Sequence, residues 1–376
     1  MSQTVGKLKS LFLIFTSFLC IHSELVGQSI LKEGDPAPDF NLKGVDGKNY
    51  TLESFSDHDI LVVIFTCNHC PTAQAYEEKI KKLVDDYSSK RVGVVAISSN
   101  DPLAIRLDEL GYTDLSDSFE EMRIRAKEHH FNFPYLYDGK TQSVAQAYGA
   151  QATPHVFILD RNRKIRYQGR FDDTEKPGVP VRTPDVMNAI EALLAGRKID
   201  NPVTKTFGCS MKYSDKRYTV EDEKKKWATE TVTLQPIDMD GIKELLANNT
   251  DKLRFINVWA TWCGPCVSEF PDLLTIYRMY RGRDFEFITL SMDDPERPDR
   301  VEKFLKNRHA SATNYHFVGD DKYKMMEALS PEWQGALPFS IIIEPGGKVI
   351  YSKQGIIDPF QVKKIIVENP TIGRYY

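Results

Sequence analysis

Short, continuous apolar runs alternate along the chain with longer stretches of helical period, and the alternation happens twice. In the first half, Ile60 to Phe65 (ILVVIF) reads as a buried strand and Pro71 to about Ser88 as a helix. Val92 to Ser98 is a second strand, closed by Asn100-Asp101-Pro102. Phe119 to His130 reads as a helix, and Phe133 to Tyr137, Val156 to Asp160 and Lys164 to Gln168 as strands. Thr183-Pro184-Asp185 resembles a helix cap with proline at the first helical position, leading through Ile190 and Leu194 to Gly196.

The second half repeats the plan. Phe255 to Trp259 is a strand, followed by a helix through Leu274 and Tyr277, and then by the strand Phe285 to Met292. Arg300 to Asn307 and Asp321 to Leu329 are predicted helices. Phe339 to Ile343 and Lys348 to Lys353 form a hairpin around Pro345-Gly346-Gly347, and Asp358-Pro359 caps a last helix. Each half therefore runs β-α-β and then β-β-α, which predicts an α/β chain of two tandem folds, each a central mixed sheet flanked by helices.

Between the halves, Lys198 to Glu230 is highly charged over Lys212 to Lys226 and shows no helical apolar face. It reads as a solvated connector. The expected division is a leader over 1–28, a first domain over 30–197, a connector over 198–230 and a second domain over 231–376. The length of 376 residues suffices for two domains. A net charge of −4 carries no basic surplus that would point to nucleic acid.

Lys7 and Lys9 precede an apolar run from Leu11 to Ile21, which is too short to span a bilayer comfortably and matches a secretory signal. Cleavage is expected after Ser23 or Gly27. Cys20 invites a lipid, but a lipid-attachment box wants a small residue where Leu19 stands. The expectation is an exported, periplasmic protein. A lipid on Cys20 or an uncleaved leader would instead tether it to the membrane.

Beyond Cys20, the cysteines are Cys67, Cys70, Cys209, Cys263 and Cys266. Four of these form two Cys-x-x-Cys pairs, each just after an apolar strand and just before a helix. A redox dithiol needs two sulfurs close enough to bond and one thiol acidified for attack. The free N–H groups and dipole of a helix N-terminus favour a thiolate there.

The segment Trp259-Ala-Thr-Trp262-Cys263-Gly-Pro-Cys266, with Glu269 and Pro271 following, resembles the thioredoxin superfamily, and more narrowly its exported TlpA/ResA-like reductases. Leu337-Pro338 matches the cis-proline loop of that family, and the resemblance covers about Thr231 to Tyr376. It implies a thioredoxin-like fold, Cys263 as nucleophile and Cys266 as resolving thiol. Asn257 stands where cytosolic thioredoxins carry a buried acid, as it does in TlpA-like proteins, and Glu269 is the candidate to relay the proton from Cys266.

Phe65-Thr-Cys67-Asn-His69-Cys70-Pro71 is placed like the second pair. His69 is expected to add positive charge near Cys67, lower its pKa and make the disulfide more oxidising. The plainer reading is a solvated surface histidine. Gly34-Asp-Pro-Ala-Pro-Asp-Phe40, the Asp46-Gly47 turn and Thr153-Pro154 resemble redoxin domains of the peroxiredoxin and TlpA-like branch. The Cys67-to-Pro71 segment together with Gly208-Cys-Ser-Met-Lys-Tyr213 resembles an exported redoxin subfamily with this same pairing, and the resemblance covers about Ile30 to Tyr213. A peroxiredoxin frame, Pro-x-x-x-Thr-x-x-Cys, fits neither register: Val63 and Cys67 precede Cys70, and Ile60 and Ile64 precede Cys67.

Zinc is the rival use of two such pairs. The long gap between them and their placement after core strands argue against metal. Cys209 stays open between structural burial, a resolving role and an interdomain disulfide, with burial favoured. The predicted chemistry is thiol–disulfide exchange with client proteins, needing no bound cofactor, with a membrane thiol reductase as electron donor. Attack is assigned to Cys67 and Cys263, and resolution to Cys70 and Cys266. A thiol peroxidase in the first domain, reduced by the second, is the alternative.

Overall fold

The computed structural model describes residues 31–174, 176 and 179–374. The predicted leader, with Cys20, lies outside the described residues.

The first half is built on a seven-stranded sheet. Its strands run in the order Asn49–Tyr50, Leu42–Gly44, Tyr135–Tyr137, Val92–Ser98, Ile60–Thr66, His155–Leu159 and Ile165–Gly169. The central strand Ile60–Thr66 is parallel to Val92–Ser98 and antiparallel to His155–Leu159. Successive side chains on a strand point to opposite faces, so a run that is apolar throughout needs cover on both. Ile60, Val62 and Ile64 face one core with Tyr76, Ile80 and Leu83 of the helix Pro71–Tyr87 and with Ile190 of the helix Asp185–Leu194. Leu61, Val63 and Phe65 face the other, with Phe40, Phe55, Tyr148 and Phe157.

The second half has a six-stranded sheet in the order Gln235–Ile237, Thr313–Phe317, Phe285–Ser291, Leu253–Trp259, Phe339–Ile343 and Val349–Gln354. Its central strand Leu253–Trp259 has the same neighbours in kind: a parallel strand on one side and an antiparallel one on the other. Both halves are thus the mixed α/β folds expected. The helix Gly264–Tyr280 runs on past Pro271, and Asp358 caps Pro359–Glu368 by accepting from Phe360 and Gln361 N–H.

The segment expected to be a solvated connector is more ordered than its composition suggested. Cys209–Ser210 pairs antiparallel with Ala152–Thr153, and Met211 is buried in the first core. Arg217–Thr229 is a helix that buries only Trp227, under the guanidinium of Arg278 at 4.1 Å. Its many Glu and Lys residues favour helix without needing a broad apolar face.

The two halves pack together through residues 105–114. Ile105 and Leu110 join the core of the second half. Tyr280 Oη donates to Thr113 O (2.8 Å), and Arg283 donates to Gly111 O (2.7 Å) while stacking over the Tyr112 ring at 4.0 Å. Arg374 pairs with Asp114 at 3.1 Å.

Candidate active site

Each cysteine pair lies at the end of its sheet's central strand, but the helix that follows starts at a different place. In the second half, Cys263 is the N-cap of Gly264–Tyr280, and Cys266 N–H donates back to Cys263 Sγ at 3.2 Å. In the first half, Cys70 is the N-cap and Pro71 opens the helix. The free N–H groups and dipole that favour a thiolate therefore act on the first cysteine of one pair and the second of the other.

The loop that holds Cys67 back from the helix is fixed by Asp117. Its carboxylate is fully buried and accepts from Asn68 N–H (2.8 Å), His69 N–H (3.1 Å), Asn100 Nδ2 (2.7 Å) and His69 Nδ1 (2.6 Å). Asn68 also donates to Ser116 O and accepts from Tyr135 Oη. The structure corrects both readings of His69. It is buried, at 2% exposure, and its charge acts on Cys70.

Electrostatics divide the pair. Burial pushes the Cys67 thiol well up, and a hydrogen bond with Cys70 and the charge of Asp117 push it further, with Thr153 opposing. Burial pushes Cys70 up as well. Hydrogen bonds from Cys209 and Cys67, the charge of His69 and the Ala73 N–H reverse this, and Cys70 settles well below an ordinary thiol. The His69 imidazole would lose its proton through burial, but the charge and hydrogen bond of Asp117 win and hold its pKa above the usual value. Asp117 is held below the usual carboxylate range, because His69 and Asn100 outweigh its burial.

Thr153-Pro154 and Leu337-Pro338 are both cis, as their resemblance to the cis-proline loops implied. Thr153 touches both sulfurs: Cys67 Sγ lies 3.3 Å from its Oγ1, and Cys70 Sγ lies 3.4 Å from its carbonyl oxygen. Thr153 also pairs with Cys209 across the short two-stranded sheet. A Cβ on Gly208, whose φ is +122°, would stand 2.2 Å from Thr153 O, so this close approach requires glycine.

In the second half, Cys263 and Cys266 form a disulfide. Trp262 beside it is 70% exposed, whereas Trp259 is buried. Glu269 is 2% exposed and accepts from Asn257 Nδ2 (3.0 Å) and Ile357 N–H (3.0 Å). Burial raises its pKa, and these two hydrogen bonds offset only part of that.

Among the described residues, Cys67, His69 and Asp117 place potential metal-ligand atoms within 4.8 Å of one another. The oxygens of Asp117 are already taken by N–H donors, two of them backbone groups, and His69 Nδ1 is engaged with Asp117. The trio is satisfied as a hydrogen-bonded ion pair beside a thiol.

A redoxin family profile matches residues 32–185 and again 225–365. The chain belongs to the redoxin family. Among its relatives, this redoxin is 29% identical over 133 residues to "Thiol-disulfide oxidoreductase ResA" of Bacillus cereus (strain ZK / E33L), covering 35% of this chain and 72% of that protein. It is 30% identical over 115 residues to the protein of the same name in Bacillus subtilis (strain 168), covering 30% of this chain and 59% of that one. Among solved structures, an uncharacterized conserved protein from Geobacillus kaustophilus is 38% identical over a match covering 50% of this chain and 94% of its own, with a TM-score of 0.44.

Sequence reasoning missed Asp117, Asn100 and the offset between the helix starts. Asp117 lies 48 residues from His69 and has no motif of its own. The offset had a signal: proline favours the first turn of a helix, and Pro71 follows Cys70 directly, whereas Gly264-Pro265 follows Cys263.

Proposed function

We propose that this redoxin is an exported thiol–disulfide oxidoreductase that exchanges disulfides with client proteins through both Cys-x-x-Cys sites. The observation that carries the reading is that each dithiol lies at the end of its sheet's central strand with one sulfur at the N-terminus of the helix that follows. At the second site, Cys263 attacks as the thiolate, forming a mixed disulfide, and Cys266 resolves it. Cys266 and Glu269 lie three apart on one helix and so share a face, and Glu269 with its raised pKa takes up or returns the proton of Cys266.

At the first site the roles are reassigned. Cys70, held as thiolate by the helix start and His69, is the reactive sulfur, and Cys67 is its partner. A stabilised thiolate favours the dithiol state, so this site is the more oxidising and draws electrons from the second. The donor to the second site is a membrane thiol reductase, and the location is the periplasm, as the signal-like start suggests. The acidified second cysteine also favours a second reading, a thiol peroxidase using Cys70, which peroxide consumption by the purified protein would separate from the first.

The test is reduction of insulin disulfides by the full chain. Cys263→Ser should reduce the rate at least about a hundredfold, as loss of an attacking nucleophile does. An unchanged rate would remove Cys263 from the reaction.

A further inference from the structure

The buried pair in the first half poses a problem of access. Cys67 is 2% exposed and Cys70 is fully buried, so a substrate sulfur approaching from solvent meets neither. Cys209 is partly exposed. It lines an open pocket of about 610 Å³ together with His69, Tyr112, Phe207 and Lys212. On its inner side its thiol hydrogen-bonds Cys70 Sγ, and it packs in one cluster with Cys67, Cys70 and Ala73. Its position is set by the backbone: Cys209 is the register partner of Thr153, which touches both other sulfurs. Gly208 permits that approach.

We infer that Cys209 is the third redox thiol of the first half, carrying disulfide exchange between the buried Cys67/Cys70 pair and dithiol substrates that enter this pocket. The step rests on the dithiol reading above. The hydrogen bond to Cys70, burial and the charge of Cys70 hold Cys209 as the thiol while Cys70 is a thiolate. With Cys67–Cys70 oxidised the two Cys70 contributions are gone, and Cys209 attacks Cys70 Sγ as it gives up its proton. The Cys67–Cys70 bond breaks, the Cys70–Cys209 bond forms, and Cys67 leaves as thiolate and takes the proton that Cys209 gave up. No electrons are gained or lost. A substrate thiolate then attacks the outward Cys209 Sγ, and Cys70 departs as the thiolate its surroundings stabilise, which makes it the better leaving group. The second substrate thiol displaces Cys209 from the mixed disulfide. The substrate becomes a disulfide and loses two electrons and two protons. The protein gains the two electrons and ends with all three thiols reduced.

The full-length exported protein is oxidised with diamide and its disulfides are mapped by peptide mass spectrometry. In wild type, a Cys67–Cys70 link tests the dithiol reading itself. In Cys67→Ser, the expected product is a Cys70–Cys209 link, and recovery of Cys70 and Cys209 unlinked overturns the inference while leaving that reading intact. Should Cys67→Ser not fold, Cys209→Ser provides the second measurement. It should still form Cys67–Cys70 but have it reduced by dithiothreitol at least tenfold more slowly than wild type. Reduction at the wild-type rate overturns the inference.

Discussion

Replacing Asp117 with asparagine separates charge from shape at the first site. The carboxylate accepts four N–H donors, and an amide can keep those from Asn68 and His69 backbone through its oxygen. The other oxygen becomes an NH2 group facing Asn100 Nδ2 at 2.7 Å, which loses its acceptor, and His69 Nδ1 at 2.6 Å, which can meet that NH2 only as the unprotonated nitrogen of a neutral imidazole. The imidazole loses the charge that kept it protonated, and burial then drives it neutral. Cys70 in turn loses the cation that helps hold its thiolate. Each unit by which a thiol pKa rises corresponds to about 1.4 kcal/mol, and by the same relation the potential of the dithiol falls by about 30 mV. Breaking a buried pair costs folding stability of about 3 to 5 kcal/mol. The pH dependence is specific. The raised pKa of His69 gives stability that is complete below the unfolded imidazole value and fades as pH rises through the folded one. The lowered pKa of Asp117 gives stability that holds above the usual carboxylate value and fades as pH falls through the folded one. The deficit of Asp117→Asn is therefore greatest between roughly pH 4 and pH 6.5 and narrows above it. The assays are glutathione equilibration and thiolate absorbance against pH, on full chains carrying Cys263→Ser and Cys266→Ser so that only the first site responds. An unchanged potential with an unchanged Cys70 titration would refute the electrostatic account.

Glu269→Gln should keep the fold to within about 1 kcal/mol, because Asn257 Oδ1 lacks a partner and can accept the new amide after a flip. Insulin reduction should nevertheless fall about tenfold or more and lose its dependence on the carboxyl; wild-type activity would exclude Glu269 as the proton relay. Gly208→Ala places a methyl group against Thr153 O at positive φ, and a loss of at least about 2 kcal/mol is expected in a denaturant titration. Glu77→Gln leaves Arg125, 2% exposed and bound at 2.6 and 3.0 Å, without its counter-charge; about 3 kcal/mol or more should be lost, and a cost under about 1 kcal/mol would show the pair to be screened.

How much could be read in advance follows from where the information lies. The run ILVVIF announced a strand covered on both faces, since no half-exposed strand could hold six apolar side chains without alternation. Proline after glycine in the second pair, and proline directly after cysteine in the first, encode two helix starts, and reading the pairs as equivalent overlooked a local rule. Asp117 was illegible for another reason. Ser116-Asp117-Ser118 looks like the polar approach to a helix cap, which Ser118 indeed supplies, and only the fold brings its middle residue under His69. The charged stretch before Glu230 was misjudged because a helix was sought through an apolar face that Arg217–Thr229 scarcely needs.

The stretch running from Ile105 to Asp117 belongs to the first half by sequence and to both halves by contact. At one end Leu110 sits in the second core and Gly111 and Thr113 are held by Arg283 and Tyr280. A few residues on, Asp117 holds His69. The docking of one half on the other and the ion pair of the first site thus meet on one short segment, and any coupling between them acts equally in both directions. Severing the chain between the halves would release that segment from its anchorage on the second. A first half studied alone lacks that anchorage, and its titration and potential set against those of the whole protein measure the coupling.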